Sequence, residues 1–188
     1  MSITAIMIAG ICACAAMDIW QRLLQVTVNI PASNWGVVGR WSYYGVTKGA
    51  LINPAIDDMP ALAGEVKLGW IVHYLVGIGY AIAYWVLAEN LNMLSYNWQD
   101  GLIFGIASSV VPWCFFLPAL GKGLFARNTP TPLKVCVLAM LSHAVFGTAM
   151  GIAFLQFSES GVISEGKTLC HAPRPSKAVW QREAICQL

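Results

Sequence analysis

Four long apolar stretches, with polar and charged residues returning between them, set the layout of this chain. They run over residues 3–20, 66–87, 101–120 and 133–157. A helix needs about 20 mostly apolar residues to cross a bilayer's hydrocarbon core. The pattern predicts an all-α fold, an integral membrane bundle of four transmembrane helices within residues 1–157. It leaves 21–65 as an interfacial loop and 158–188 as a polar, poorly ordered C-terminal tail. The first stretch is the shortest and resembles a signal peptide in length. It lacks the basic leading region of such peptides, so an uncleaved helix is expected. The same missing charge argues against a lipoprotein cleavage box at Ile11-Cys12-Ala13-Cys14.

Composition strengthens the membrane reading. Apolar residues make up 57% of the 188 positions and charged residues 11%, against roughly 25% charged in a soluble domain. So little charge does not cover a surface facing water. The net charge is +2, with basic residues scattered along the chain, which gives nucleic-acid binding no support. Of the six cysteines, Cys12, Cys14, Cys114 and Cys136 lie in apolar runs, where cysteine behaves as a small hydrophobe. Cys170 and Cys186 lie in the tail and would pair only outside the cytoplasm.

Basic residues orient membrane bundles, because cytoplasmic loops carry the excess of Lys and Arg. The segment after the first stretch holds Arg22, Arg40, Lys48 and Lys67, and that after the third holds Lys122, Arg127 and Lys134. The segment between the second and third stretches holds none. This predicts an outside N-terminus, with the first and third loops together in the cytoplasm. The tail, with Lys167, Arg174, Lys177 and Arg182, runs against the rule on this topology. Trp20, Trp35, Trp41, Tyr43, Tyr44 and Trp70 crowd the first loop, as expected of a segment folded against headgroups or the bundle. In the third stretch Pro112 and Pro118 predict a kink, which opens cavities or supplies hinges. Thr129-Pro130-Thr131-Pro132 makes a stiff lead-in to the fourth, with proline setting its start.

The second and fourth stretches share a pattern. His73 precedes Gly77, Gly79, Ala81, Ile82, Ala83 and Tyr84; His143 precedes Gly147, Ala149, Gly151, Ile152, Ala153 and Phe154 at the same offsets. Gly10-Ile11 and Gly105-Ile106 match more weakly. This reads as a two-helix hairpin duplicated in parallel, as in some transporters. The plainer alternative is that helices rich in small residues resemble one another in composition. Glycines four residues apart share a helix face and let backbones approach. Gly101 and Gly105, Gly147 and Gly151, and Gly69 and Gly77 with His73 midway between them are the expected helix-contact positions.

Ionisable residues inside a span are costly and point to function by default. Asp18, Glu65, His73 and His143 form the candidate polar cluster, with Arg40 as a counter-charge for Asp18 or Glu65. His73 lies about 10 Å and His143 about 15 Å into its helix. Two histidines and two carboxylates are a set able to hold a transition metal or to relay protons. They serve equally as interhelical hydrogen-bonding groups that fix packing, and Asp18 with Arg22 can be a helix-end ion pair. No nucleophile–base pair, phosphate loop or dinucleotide fingerprint appears, so nothing implies a cofactor and nothing calls for an enzyme.

One ordered set of residues is also similar to a known family. Met17-Asp18, Asn34-Trp35, Val38-Gly39-Arg40-Trp41, Gly64-Glu65, Gly69-Trp70, His73-Tyr74 with Gly77, Thr129, Pro132, Ser142-His143 and Phe146-Gly147 together resemble a bacterial family of uncharacterised four-helix inner-membrane proteins. The resemblance spans about residues 3 to 157 and has no counterpart after Ser158. It implies a multi-pass protein of the bacterial inner membrane and no particular reaction. Three functions remain open: a small carrier or transporter component with a polar intramembrane path, a structural or interaction subunit, and a metal-dependent membrane enzyme. The expected partners are the lipid bilayer and a second copy or another membrane protein, since four helices are few for a solute path.

Overall fold

The structure, a computed structural model, describes residues 1–49 and 51–170, with side chains as far as residue 160. The elements in chain order are α1 (Ile3–Val28), α2 (Trp35–Lys48), α3 (Glu65–Trp85), α4 (Trp98–Ser108), α5 (Leu117–Ala119) and α6 (Pro132–Cys170). A π-helical turn, Val86–Asn90, extends α3, and another, Pro112–Phe116, joins α4 to α5. No strand occurs among the described residues. Four helical segments are long and apolar enough to cross a membrane: Ile3–Val28, Glu65–Asn90, Trp98–Ala119 and Pro132–Ser160. Their outer faces are apolar, with Ile3, Ile71, Leu75 and Leu133 among the exposed side chains. An apolar exterior of this extent is stable against lipid and not against water. The chain is a multi-pass membrane protein.

Local chemistry explains each helix's ends. Ser2 caps α1, its Oγ accepting from the Ala5 N–H at 3.3 Å. At the other end Asn29 turns left-handed at φ 53°, and the Ile30 N–H returns to the Leu24 carbonyl, closing an orphan acceptor. Asn34 caps α2 by accepting from Gly36 and Val37. Asn97 caps α4, while Asp100 reaches back to the Ser95 N–H at 2.7 Å, a reciprocal arrangement that satisfies two otherwise orphaned donors. Pro132 stands at the first position of α6, where its missing N–H costs nothing.

Two expectations need correction. The stretch 21–65 is not one interfacial loop: α1 runs on to Val28, and α2 lies between it and α3. Charged and polar residues such as Arg22 end an apolar run, but they do not end a helix, which simply continues past the hydrocarbon. For the same reason α6 passes Ser158 without a break and reaches Cys170. The poorly ordered tail expected from 158 therefore begins, over 158–170, as helix, and its remainder lies outside the described residues.

The first and third loops meet on one side of the bundle. The Asn53 N–H donates to the Ala119 carbonyl at 2.9 Å, and Lys122 pairs with Asp57. Trp41, Ile56 and Ala119 form a small core beneath this contact. The main core lies between the spans, where Ala9, Ala13 and Cys14 of α1 meet Ala81 and Tyr84 of α3, Phe104 of α4 and Phe146, Met150 and Phe154 of α6.

Glycines decide how closely the spans cross. A Cβ on Gly10 would lie 2.9 Å from the Ile78 Cα and 3.0 Å from the Gly77 carbonyl; one on Gly105 would lie 3.1 Å from the Gly147 Cα. Gly101 packs against Gly147 and Gly151 in the same way. The α1–α3 and α4–α6 crossings thus use glycines at the offsets the repeated pattern matches. Their polar partners differ: His73 meets Asp18, His143 meets Ser108, and the α4 counterpart of Asp18 is Trp113.

Candidate functional site

The four candidate residues separate into three arrangements. The first centres on His73, buried on α3, with Nε2 3.1 Å from Asp18 Oδ1 on α1. A carboxylate only accepts, so Nε2 carries the hydrogen of this contact. The second carboxylate oxygen accepts from the Tyr74 hydroxyl at 3.1 Å. Trp35 stacks on the imidazole at 4.1 Å between ring centres and 26° between planes. That stack depends on Gly69, because a Cβ there would run into the Trp35 carbonyl. His73 is thus clamped by three elements: a carboxylate from α1, an indole from α2 and its own helix.

His143 has a plainer environment. Its Nδ1 lies 2.8 Å from Ser108 Oγ, and that hydroxyl also lies 2.7 Å from the Gly105 carbonyl. A hydroxyl has one hydrogen, which goes to the carbonyl; Nδ1 therefore carries its own and donates to Oγ, leaving Nε2 as an acceptor. This is an ordinary interhelical hydrogen bond, and such bonds average about 0.6 kcal/mol in membranes. Ser108→Ala is accordingly expected to lower unfolding stability in detergent by about 0.6 kcal/mol. A loss several times larger would show that His143 belongs to a stronger network.

Glu65 belongs elsewhere. Arg40 grips it with both arms of the guanidinium, Nε to Oε2 at 2.8 Å and Nη2 to Oε1 at 2.9 Å. Arg40 Nη1 also donates to the Ile56 and Met59 carbonyls at 3.1 and 2.6 Å, and Glu65 accepts from the Leu62 N–H at 2.8 Å. The hydrogen bonds to Glu65 hold the Arg40 pKa above its ordinary value. The counter-charge is therefore paired with Glu65 and not with Asp18. The pair pins α2 and the following loop onto the start of α3, with Gly39 resting on the Glu65 carbonyl. Its role is positional, since α2 brings Trp35 to His73.

A cavity of about 730 Å³ lies between the spans. His73 and His143 both line it; Asp18, Glu65 and Arg40 do not. The four-residue path drawn from sequence is thus a two-histidine wall, with Asp18 supporting one histidine from behind. At the loop end the lining includes Asp57, Lys122 and Lys134. At the other end, beyond Tyr80 and Phe146, the bundle is closed by aromatic rings. Phe154 stacks on Tyr96 at 5.2 Å and packs on Tyr84 at 5.3 Å, and the Tyr84 hydroxyl ties this group to the Ser95 carbonyl at 2.7 Å. Pro112, Phe116 and Leu117 line the cavity, so the expected proline irregularity, here a π-helical turn, forms part of its wall.

Among the described residues, no three His, Cys, Asp or Glu side chains gather into a set able to hold a metal ion. Cys14, Cys114 and Cys136 are free thiols, as is Cys12; Cys170 and Cys186 fall outside the described side chains.

Residues 6–155 match the family described as a protein of unknown function, DUF2938. The chain belongs to the DUF2938 family. No curated protein and no solved structure matches it. The matched region covers all four spans' cores, both histidines, the Asp18–His73 pair and the Arg40–Glu65 clamp. In this DUF2938 protein, sequence reading passed over Tyr74, Ser108 and the Trp35 stack as parts of the polar arrangement. Tyr74 adjoins His73 and Trp35 follows the capping Asn34, but only the α1–α3 crossing brings Tyr74 to Asp18, and only the α2–α3 crossing brings Trp35 to His73. Ser108 had no comparable signal.

Proposed function

We propose that this protein is a component of a small membrane carrier whose central cavity receives a solute from the loop side. The observation that carries the reading is the cavity between the spans with His73 and His143 in its wall, charged loop residues at one end and packed aromatic rings beyond the other. Such a cavity fits one end state of alternating access, in which the aromatic end must part for release. His73 is the proton-responsive element: Asp18 and Tyr74 face it from α1 and α3, Trp35 covers it from α2, and His143 stands on α6 across the cavity. Protonating the imidazole in a low-dielectric interior changes its attraction for Asp18 strongly. On this reading the protein sits in the bacterial inner membrane with its N-terminus outside, and more than one copy assembles, since four spans enclose a cavity but not a full-length path.

The interaction-subunit reading loses ground because the contact glycines are consumed inside the bundle. Gly69, Gly77, Gly101, Gly105, Gly147 and Gly151 all meet other helices or α2 of the same chain.

The test is proton flux into proteoliposomes under an imposed pH gradient, read with an entrapped dye. Flux above that of protein-free vesicles is expected, falling at least about tenfold in His73→Ala, since the relay loses the imidazole that pairs with Asp18. Flux that is the same in wild type and His73→Ala would overturn the reading.

A further inference from the structure

The cavity's shape and lining narrow what it holds. On α6 the lining positions include Lys134, Leu138, Ser142, His143 and Phe146. They recur at three- and four-residue steps along one face. At about 1.5 Å per residue, the lined face from Lys134 to Phe146 is about 18 Å long. The cavity is therefore a slot along α6 rather than a round pocket. Its middle is mostly apolar, with Val72 and Val76 of α3, Leu138 of α6 and Met17 and Leu24 of α1 in the wall, interrupted by Gln21, His73, Ser142 and His143.

Charge is confined to the loop end. Lys122 is paired with Asp57 there. Lys134 is exposed and makes no ion pair with a described residue. The lining at this end thus carries one unbalanced positive charge, beside a long and mostly apolar slot. Such a volume is within the roughly 300–1,000 Å³ of small-molecule sites. A compact polar solute would leave the apolar walls unfilled, and an uncharged hydrocarbon would leave Lys134 unused.

We propose that the slot binds a single-chain amphiphile with an anionic head, its chain along Val76 and Leu138 and its head at Lys134. The proposal names the substrate class of the carrier reading and rests on it. The apolar chain enters where lysines meet the headgroup region, and the carboxylate or phosphate of the head stays at the wet end, so that no charge is buried.

The experiment uses the full chain in phosphatidylcholine nanodiscs and a fatty acid bearing a mid-chain diazirine, with the matching fatty alcohol as the uncharged probe. After irradiation, labelled residues are mapped by mass spectrometry. The acid is expected to label the slot face, Val76 and Leu138, above the lipid-exposed Leu75 and Leu141. Lys134→Gln should lower slot labelling by the acid about threefold to tenfold, as expected for one charge-assisted contact, and leave labelling by the alcohol unchanged. Leu138→Trp, which fills the slot, should abolish it for the acid. Competition by an unlabelled single-chain acid but not by phosphatidic acid would assign the ligand to a free amphiphile; the reverse would assign the anionic head to a bilayer phospholipid and overturn the single-chain proposal. Labelling confined to Leu75 and Leu141, or equal slot labelling by acid and alcohol, would overturn it too. If slot labelling fails while His73-dependent proton flux persists, the substrate class is wrong and the carrier reading stands. If labelling succeeds without such flux, the slot is a binding site and the carrier reading falls.

Discussion

Gly147→Leu is expected to separate α4 from α6 and to lower unfolding stability by at least about 3 kcal/mol, the upper range for overpacking. A Cβ at this position would run into the Gly101 carbonyl and lie 2.6 Å from the Gly105 Cα. The obstacle is backbone, so no rotamer change relieves it. Lipid tails are as apolar as leucine, so once the helices part, the new side chain gains nothing that draws them together again. Gly79→Leu is the control, because a Cβ there meets nothing within 4 Å. Its stability should stay within about 0.5 kcal/mol of wild type. Thermal unfolding in detergent, followed by intrinsic tryptophan fluorescence, separates the two. Equal melting of both variants would mean that the α4–α6 crossing is not set by these glycines.

Arg40→Met carries the second-largest expected effect. It leaves the Glu65 carboxylate half enclosed beside the Ile56 and Met59 carbonyls, with the Leu62 N–H as its remaining donor. Removing one partner of an enclosed ion pair is far more damaging than replacing both. The melting temperature of Arg40→Met should therefore fall on the order of 10 °C, and limited proteolysis should begin in the loop 49–64. The double variant Arg40→Met/Glu65→Leu should recover most of the loss. If instead the double variant melts below the single one, the clamp contributes through attraction itself rather than through the cost of an unpaired charge. The same experiment tests the link to the site. Once α2 loosens, Trp35 leaves His73, and the proton flux should fall even though neither Arg40 nor Glu65 lines the cavity.

Much of the architecture was legible along the chain. The four spans follow from apolar length alone, because an unsatisfied backbone in lipid leaves a helix as the one solution for such a run. Gly101, Gly105, Gly147 and Gly151 were legible as contact positions, because small residues four apart on a membrane helix have few other uses. Helix α2 was not legible. Its sequence, with Trp35, Arg40, Trp41 and Tyr43, mixes aromatic, charged and glycine positions, and interfacial helices and irregular interfacial segments share that composition. The ends of α1 and α6 were also missed, since hydropathy marks where a helix leaves the lipid and not where it stops.

Which residues belong to the site was decided by tertiary structure. Asp18, Glu65, His73 and His143 were all identifiable as costly intramembrane or membrane-edge groups, because the price of ionisable side chains in lipid is a property of residue type and depth. Their partners depend on helix rotation and crossing, which packing sets. A single-residue difference in where two glycines meet would turn His73 from Asp18 toward lipid. Sequence alone therefore determined that this is a four-span membrane protein with two histidines within its spans. The fold decided that His73 takes Asp18 and Trp35, that Arg40 takes Glu65, and that the spans leave between them a cavity lined by both histidines. Hydrophobic length is additive along a chain, whereas a cavity and an ion pair exist only where separate helices come within a few ångströms of each other.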